Sequence, residues 1–143
     1  MSNKDKHRNS IIKTGEMVFI NAGHESILTF DKDKNYEYIK SDMPPIGIVK
    51  YFTETMVKSN KINLKDKTFV VYTDGVTEGY LKNGEEMGAE GVQKIIDDMT
   101  EVTPKNIVEA LEKELNWGAE KLRDDITCMA INIENTELIK KKN

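Results

Sequence analysis

The sequence predicts an α+β domain whose strands pair antiparallel. Short β-patterned segments separated by turn residues fill the stretch from about residue 16 to residue 72. Two amphipathic helical segments follow, and an apolar segment, Ile126 to Ile133, comes after them. Because strands and helices are segregated along the chain, an antiparallel arrangement is favoured over an alternating parallel sheet.

The first strands are predicted from apolar runs that turn residues interrupt. Asp31 to Asn35 has the composition of a hairpin loop between the second and third strands. Pro44-Pro45-Ile46-Gly47 predicts a turn, since Pro45 restricts Pro44 to extended geometry. The predicted strands of this region are Glu16 to Asn21, Ser26 to Phe30, Tyr36 to Ile39 and Thr53 to Val57.

Thr68 to Tyr72 is a continuous apolar run and predicts a buried central strand. A turn at Asn63 to Lys67 precedes it, and Thr73-Asp74-Gly75 ends it. The first helix is predicted by apolar residues at helical spacing from Val92 to Met99. The second begins with Thr103 as N-cap and Pro104 at its first position, and Trp117-Gly118 predicts its end.

Length and composition predict one domain with short polar extensions. The chain has 143 residues, of which 38% are hydrophobic and 32% charged. We expect residues 1–12 to form a polar leader, residues 13–134 the domain and residues 135–143 a tail. The net charge of −4 argues against a nucleic-acid partner, which requires a basic face.

Cysteine usage and hydropathy predict a cytoplasmic setting. The single cysteine, Cys128, lies in an apolar run, so no disulfide can form within the chain and a reducing compartment is favoured. No apolar stretch reaches the length that a membrane helix needs, and the N-terminus has no apolar signal core. We therefore expect no membrane interaction from this segment.

Asp74 is the first candidate functional residue. A buried strand delivers this carboxylate to the rim of the sheet, and Gly75 lets the chain turn away close to a ligand. Hard divalent cations such as Mg²⁺ and Mn²⁺ prefer such oxygen ligands. The alternative interpretation is an ordinary Asp-Gly turn after a strand.

Asp124 and Asp125 form the second candidate, directly before the last predicted strand. Adjacent carboxylates raise each other's pKa unless a cation offsets the charge. Taken alone, the pair is better explained as an exposed acidic turn between helix and strand. If the two strands are neighbours, Asp74 and Asp124 can converge on one ion.

Asn21-Ala22-Gly23-His24 is the third candidate. His24 could serve as a catalytic acid or a ligand; the alternative is a histidine whose hydrogen bonds fix a tight turn. Several other classes are excluded, because the sequence has no phosphate-binding loop, dinucleotide fingerprint, Gly-x-Ser-x-Gly elbow or zinc-type cluster. Asp74-Gly75-Val76-Thr77 is superficially similar to the motif of haloacid-dehalogenase-like enzymes, but that motif has a second aspartate two residues ahead. Tyr72 stands at this position, which argues against that family.

Six motifs in order resemble the bacterial SpoIIE-type branch of the PPM (protein phosphatase 2C-like) serine/threonine phosphatases, over about residues 13 to 134. The resemblance implies a β-sandwich of antiparallel sheets flanked by helices, with a two-metal centre at one end. The motifs are Lys13-Thr14-Gly15-Glu16-Met17, Asn21-Ala22-Gly23-His24, Pro45-Ile46-Gly47, Thr73-Asp74-Gly75-Val76-Thr77-Glu78, Asn83-Gly84-Glu85 running to Met87-Gly88, and Asp124-Asp125-Ile126-Thr127.

The resemblance also implies roles for individual residues. Asp74 and Asp124 would bind a Mn²⁺ or Mg²⁺ ion, whereas Gly75, Asp125, Asn21 and His24 would support the site. The family reaction is metal-assisted attack of water on a phosphoserine or phosphothreonine. In this branch the substrates are typically phosphorylated antagonists of anti-sigma factors.

The sequence departs from the family pattern in one respect. Nothing in it matches the Gly-Asp-x-x-Gly-His-Gly-like motif, whose aspartate bridges both metals in the family. We therefore expect a partial fold that lacks its N-terminal part and a catalytically incomplete chain. Three hypotheses remain: part of an active phosphatase, a non-catalytic module that binds a phosphoprotein or partner, and a phosphatase completed by another chain. A homodimer is a further expectation, because strands that normally pair here are missing.

Overall fold

Two antiparallel sheets and three helices make up the described part of the chain, residues 13–115 and 125–133 of a computed structural model. This arrangement confirms the α+β prediction. The strands are β1 (Glu16–Phe19), β2 (Ile27–Asp31), β3 (Tyr36–Ile39), β4 (Asn60–Asn63), β5 (Lys67–Tyr72) and β6 (Cys128–Ile131). The helices are α1 (Asp74–Thr77), α2 (Gly88–Asp97) and α3 (Pro104–Leu115).

The larger sheet has the order β3-β2-β5-β6, and every pairing in it is antiparallel. Strand β5 lies inside this sheet, with Val70 opposite Leu28 of β2 and Tyr72 opposite Cys128 of β6. The prediction of a buried strand over Thr68 to Tyr72 is confirmed. The smaller sheet pairs β1 with β4, also antiparallel.

The helices cover one face of the larger sheet and the smaller sheet covers the other, so successive side chains of β5 pack on opposite faces. Val70 is fully buried against the helices, whereas Phe69 faces the smaller sheet. There the ring of Phe69 contacts Phe19 of β1 edge-to-face, with centroids 4.9 Å apart. Burial on both faces explains why β5 is a continuous apolar run without polar alternation.

The predicted hairpin loop between β2 and β3 also anchors helix α2. One Asp31 carboxylate oxygen accepts hydrogen bonds from the backbone amides of Asp33 and Asn35. Lys34, at φ +60°, directs its Nζ to the carbonyl oxygens of Ile96 and Asp97, at 3.1 and 2.8 Å. A lysine at the C-terminal carbonyls of a helix satisfies groups without an intrahelical partner.

The two longer helices begin close to the predicted positions. Thr103 caps α3, because its Oγ1 accepts a hydrogen bond from the amide of Asn106 at 3.1 Å. Helix α2 places Val92 and Ile96, both fully buried, against the larger sheet and α3. In the part of the chain that the structure describes, no helix has the length and apolarity to cross a membrane.

The segment between β3 and β4 differs from the prediction. A strand over Thr53 to Val57 is wrong: a 3₁₀ turn, Glu54–Met56, occupies this position, and the strand β4 lies further along at Asn60–Asn63. The segment exposes large apolar side chains: Ile46, Ile48, Tyr51, Phe52, Met56 and Val57. The predicted leader, the tail and the Trp117-Gly118 helix end lie outside the described residues.

Candidate functional site

Three of the sequence motifs lie on segments that enter or leave the larger sheet at the same end. Because β2, β5 and β6 are antiparallel neighbours, the end of β5 lies beside the start of β2 and the start of β6. Asp74 follows β5, the Asn21 turn precedes β2, and Asp125 precedes β6. Asp74 therefore follows a strand end, and β5 and β6 are neighbours, which is the condition that the sequence analysis set for a shared site.

Asp74 begins the one-turn helix α1 and is exposed to solvent. Its Oδ1 accepts a hydrogen bond from the amide of Gly75 at 2.9 Å, which turns the carboxylate back over the start of the helix. Gly75 and Val76 are buried beneath it. The structure therefore presents a solvent-facing carboxylate above two buried residues at the end of β5.

Thr73 joins the end of β5 to the segment before β6. Its hydroxyl donates to the carbonyl oxygen of Asp125 at 3.1 Å and accepts from the amide of Thr127 at 3.1 Å. Its own amide donates to the carbonyl oxygen of Thr127 at 3.0 Å. These bonds hold the segment that starts at Asp125, itself exposed, beside the residue that precedes Asp74.

The Asn21 turn is fixed by its asparagine. Buried Asn21 donates from Nδ2 to the carbonyl oxygen of Glu25 and accepts at Oδ1 from the amide of His24, both at 3.0 Å. Ser41 bridges the carbonyl oxygen of Asn21 and the amide of Gly23 through its hydroxyl. Gly23 has φ +72° and packs so close to Pro45 that a side chain would collide with the proline ring. His24 itself is exposed.

Two protonated groups line the interior behind this end of the sheet. Burial raises the pKa of Tyr72 to about 12, with smaller contributions from Tyr38 and Glu25. Burial also raises the pKa of the Cys128 thiol to about 11. Because the thiolate is the reactive form of cysteine, Cys128 is a structural thiol and not a nucleophile at neutral pH.

The donor chemistry at this end fits a hard divalent cation, but only in part. Asp74 and Asp125 offer carboxylate oxygens, which Mg²⁺ and Mn²⁺ accept. Asp124, predicted to share a metal with Asp74, lies outside the described residues. Among residues 13–115 and 125–133, no three histidine, cysteine, aspartate or glutamate side chains gather closely enough to hold an ion.

A cavity of about 290 Å³ lies at the opposite end of the larger sheet and contains none of the candidate residues. Four lysines line it, but the amines of three are engaged elsewhere, that of Lys65 with the carbonyl oxygen of Lys13 at 2.6 Å. Lys34 binds the carbonyls at the end of α2, and Lys67 forms an ion pair with Glu37 at 2.7 Å. The candidate site is therefore the surface around Asp74 and not this cavity.

Thr73 is the residue of this end that the sequence interpretation treated only as part of a motif. The available signal was a threonine directly before the candidate aspartate. Its link to residues 125–127 depends on the β5–β6 pairing, which a single sequence does not reveal.

Comparison with known proteins gives one family and several related structures. The family model described as Stage II sporulation protein E (SpoIIE) matches residues 11–134. A similar curated protein is Protein IcfG of Synechocystis sp., 28% identical over 124 residues, which are 84% of this chain and 19% of that protein. The chain therefore spans about a fifth of the length of this relative.

Solved structures at 19% identity share the fold. The SiaA-PP2C domain of Pseudomonas aeruginosa matches with a TM-score of 0.62, over 85% of this chain and 48% of that chain. The phosphatase domain of the cell fate determinant SpoIIE from Bacillus subtilis matches with a TM-score of 0.54, over 94% and 67%. The RsbU and RsbW domains of Rv1364c from Mycobacterium tuberculosis match with a TM-score of 0.63, over 85% and 34%.

Proposed function

The chain belongs to the SpoIIE family, and from this premise we propose that it supplies the Asp74 end of a metal-dependent phosphoserine/phosphothreonine protein phosphatase site. The fold is that of PP2C-type phosphatase domains, and the family makes the chain a hydrolase by descent. The observation that carries the proposal is the position of Asp74, solvent-facing at the end of the central strand and bonded through Thr73 to the segment that begins at Asp125.

In this proposal Asp74 and Asp124 bind Mn²⁺ or Mg²⁺. A structure in the same fold group, RsbX, is described in complex with magnesium, at 13% identity and a TM-score of 0.51. A bound cation would supply an activated water and offset the charge of the phosphoryl oxygens. Asp125, Gly75, Asn21 and His24 would hold the surrounding backbone in place. The substrate would be a phosphorylated protein of the anti-sigma-factor antagonist type, in bacterial signalling in the cytoplasm.

We further propose that the 143 residues are catalytically incomplete by themselves. The sequence contains no counterpart of the Gly-Asp motif that bridges the two metals in the family, and the described residues hold no group of three candidate ligands. Two carboxylates bind a divalent cation weakly, with a dissociation constant on the order of 1 mM. Turnover would then require the remainder of a PP2C-type domain, in the same protein or from another chain.

A second candidate function is binding without catalysis, as a module that recognises a phosphoprotein or a partner subunit. The observation that favours it is the exposed apolar segment between β3 and β4, where Ile46, Ile48 and Tyr51 are each about three-quarters exposed. Large exposed apolar patches mark interaction surfaces. A homodimer through this surface belongs to the same proposal.

Mn²⁺ titration of the ¹⁵N-labelled chain tests the metal site. Paramagnetic Mn²⁺ should broaden the amide signal of Gly75 at low millimolar concentration and spare residues at the opposite end of the sheet. In the Asp74→Asn variant the half-broadening concentration should rise at least about tenfold. Asp66→Asn, the same charge change in the turn before β5, is the matched control and should leave it unchanged. Broadening at Gly75 that Asp74→Asn does not alter would refute the site.

Hydrolysis of an aryl phosphate separates the enzyme from the binding module. We expect negligible turnover by the isolated chain with Mn²⁺. Rapid, chelator-sensitive turnover that Asp74→Asn abolishes would contradict incompleteness and support the phosphatase itself. Mn²⁺ binding at Asp74 without turnover supports an incomplete site, whereas absence of both favours the binding module.

A further inference from the structure

We infer that Thr73 is a positioning residue, whose hydroxyl fixes the segment that begins at Asp125 relative to Asp74. This inference rests on the proposed metal site and adds a residue that acts on it indirectly. Thr73 itself binds no ion; it acts through the backbone at Asp125 and Thr127.

The first observation is the unusual use of the hydroxyl. Thr73 occupies the N-cap position of α1, where a threonine hydroxyl ordinarily accepts a hydrogen bond from the first turn of the helix. Here the side chain makes no such capping bond. The hydroxyl instead donates to Asp125 and accepts from Thr127, on a segment more than fifty residues further along the chain.

The second observation is where these bonds lie. Regular pairing of β5 and β6 ends at Tyr72 and Cys128. The bonds of Thr73 to Asp125 and Thr127 extend the connection past the last ladder pair, to the residues next to both candidate carboxylates. Asp74 follows Thr73 directly, and Asp124 precedes Asp125 directly in sequence.

The bonds of Thr73 hold the segment that begins at Asp125 in place before any ion binds. An exposed segment held by a few hydrogen bonds loses conformational freedom only where those bonds restrain it. Groups that orient metal ligands without binding the ion typically change affinity 10- to 100-fold when mutated. Removing the Thr73 hydroxyl should therefore weaken binding of the cation, although the proposed ligands Asp74 and Asp124 are retained.

The experiment compares Thr73→Val, which keeps the shape but removes the hydroxyl, with Thr73→Ser, which keeps the hydroxyl. Thr68→Val is the matched control, since Thr68 is the second residue of the same strand and its Oγ1 accepts a hydrogen bond from Asn132 at the opposite end of the sheet. Two quantities are measured on the full chain: the Mn²⁺ concentration that half-broadens the Gly75 amide, and the hydrogen-exchange rate of the Thr127 amide.

In Thr73→Val we expect the Mn²⁺ midpoint to rise roughly tenfold and Thr127 exchange to accelerate severalfold, because that amide loses its acceptor. Thr73→Ser and Thr68→Val should stay within about twofold of wild type. An unchanged midpoint in Thr73→Val, or an equal loss in Thr73→Ser, overturns the positioning role. If wild type shows no Mn²⁺ broadening that depends on Asp74, the proposed metal site fails. In that case the hydrogen exchange of the Thr127 amide still tests the link separately, and an unchanged rate in Thr73→Val refutes it.

Discussion

Replacement of the same side chain at two positions, Val70→Ala and Val18→Ala, should show which strand carries the core. Val70 is fully buried in β5, whereas Val18 in β1 is 65% exposed. Both changes remove the same two methyl groups from a strand residue, and the two positions differ in how deeply those methyl groups are buried. The difference between the two variants therefore reports burial.

The expected magnitudes follow from this burial. At Val70 the transfer contribution is about 1.6 kcal/mol, since each buried methylene contributes about 0.8 kcal/mol. A cavity contribution of about 1 kcal/mol adds to it, because the surrounding core relaxes only in part. We expect a loss of about 2.5 kcal/mol in the free energy of unfolding for Val70→Ala and about 0.5 kcal/mol for Val18→Ala.

Urea unfolding followed by circular dichroism measures both values. With a slope of about 2 kcal/mol per molar urea, the midpoint of Val70→Ala should fall by about 1.2 M and that of Val18→Ala by about 0.3 M. Equal losses would refute the assignment of β5 as the core strand. A loss at Val18 that grows with protein concentration would show instead that a second copy covers β1.

Two further variants test the packing behind the site. Gly79→Ala should lower the free energy of unfolding by about 1–3 kcal/mol, measured in urea. The added Cβ would lie 2.5 Å from Leu115 Cδ2 and 3.0 Å from the carbonyl oxygen of Gly75, which is too close for both. An unchanged free energy of unfolding would contradict the close approach of α3 to helix α1. For Cys128 the folded-state pKa of about 11 exceeds its usual value of 9. The unfolded chain therefore loses this proton first as pH rises, so the contribution of Cys128 to stability is complete below about pH 9 and is lost towards pH 11. Cys128→Ala should reduce the fall in urea midpoint over that interval, and identical slopes for the two proteins would refute burial of the thiol.

The fold was predictable where the sequence of one short segment is enough to determine its secondary structure. The apolar run at β5 and the Thr103-Pro104 start of α3 depend on local sequence, and both predictions are confirmed. Strand β4 was missed because only Ile62 of its four residues is buried, so no periodic pattern appears. The strand over Thr53 to Val57 was predicted from propensity alone, which tertiary context overrides.

The site was predictable in its residue types and only partly in its connections. Asp74 at a strand end could be inferred from an aspartate and a glycine that follow an apolar run. The alternative for the Asn21 turn assigned the hydrogen bonds to the histidine, whereas it is the asparagine side chain that closes the turn. Metal binding by Asp74 and Asp124, and the supporting roles of Gly75, Asp125, Asn21 and His24, stay predictions.

The position of β6 has a consequence for the order in which the protein folds during synthesis. Strand β2 is complete before β5 emerges, but both longer helices must be made between β5 and its other neighbour. At about 5–20 residues per second, that interval lasts several seconds. Until then β5 has an open edge, and the end of the sheet that carries Asp74 cannot close. Because contacts between residues distant in sequence form slowly, we expect the β5–β6 pairing beside Asp74 to form after the β2–β5 pairing.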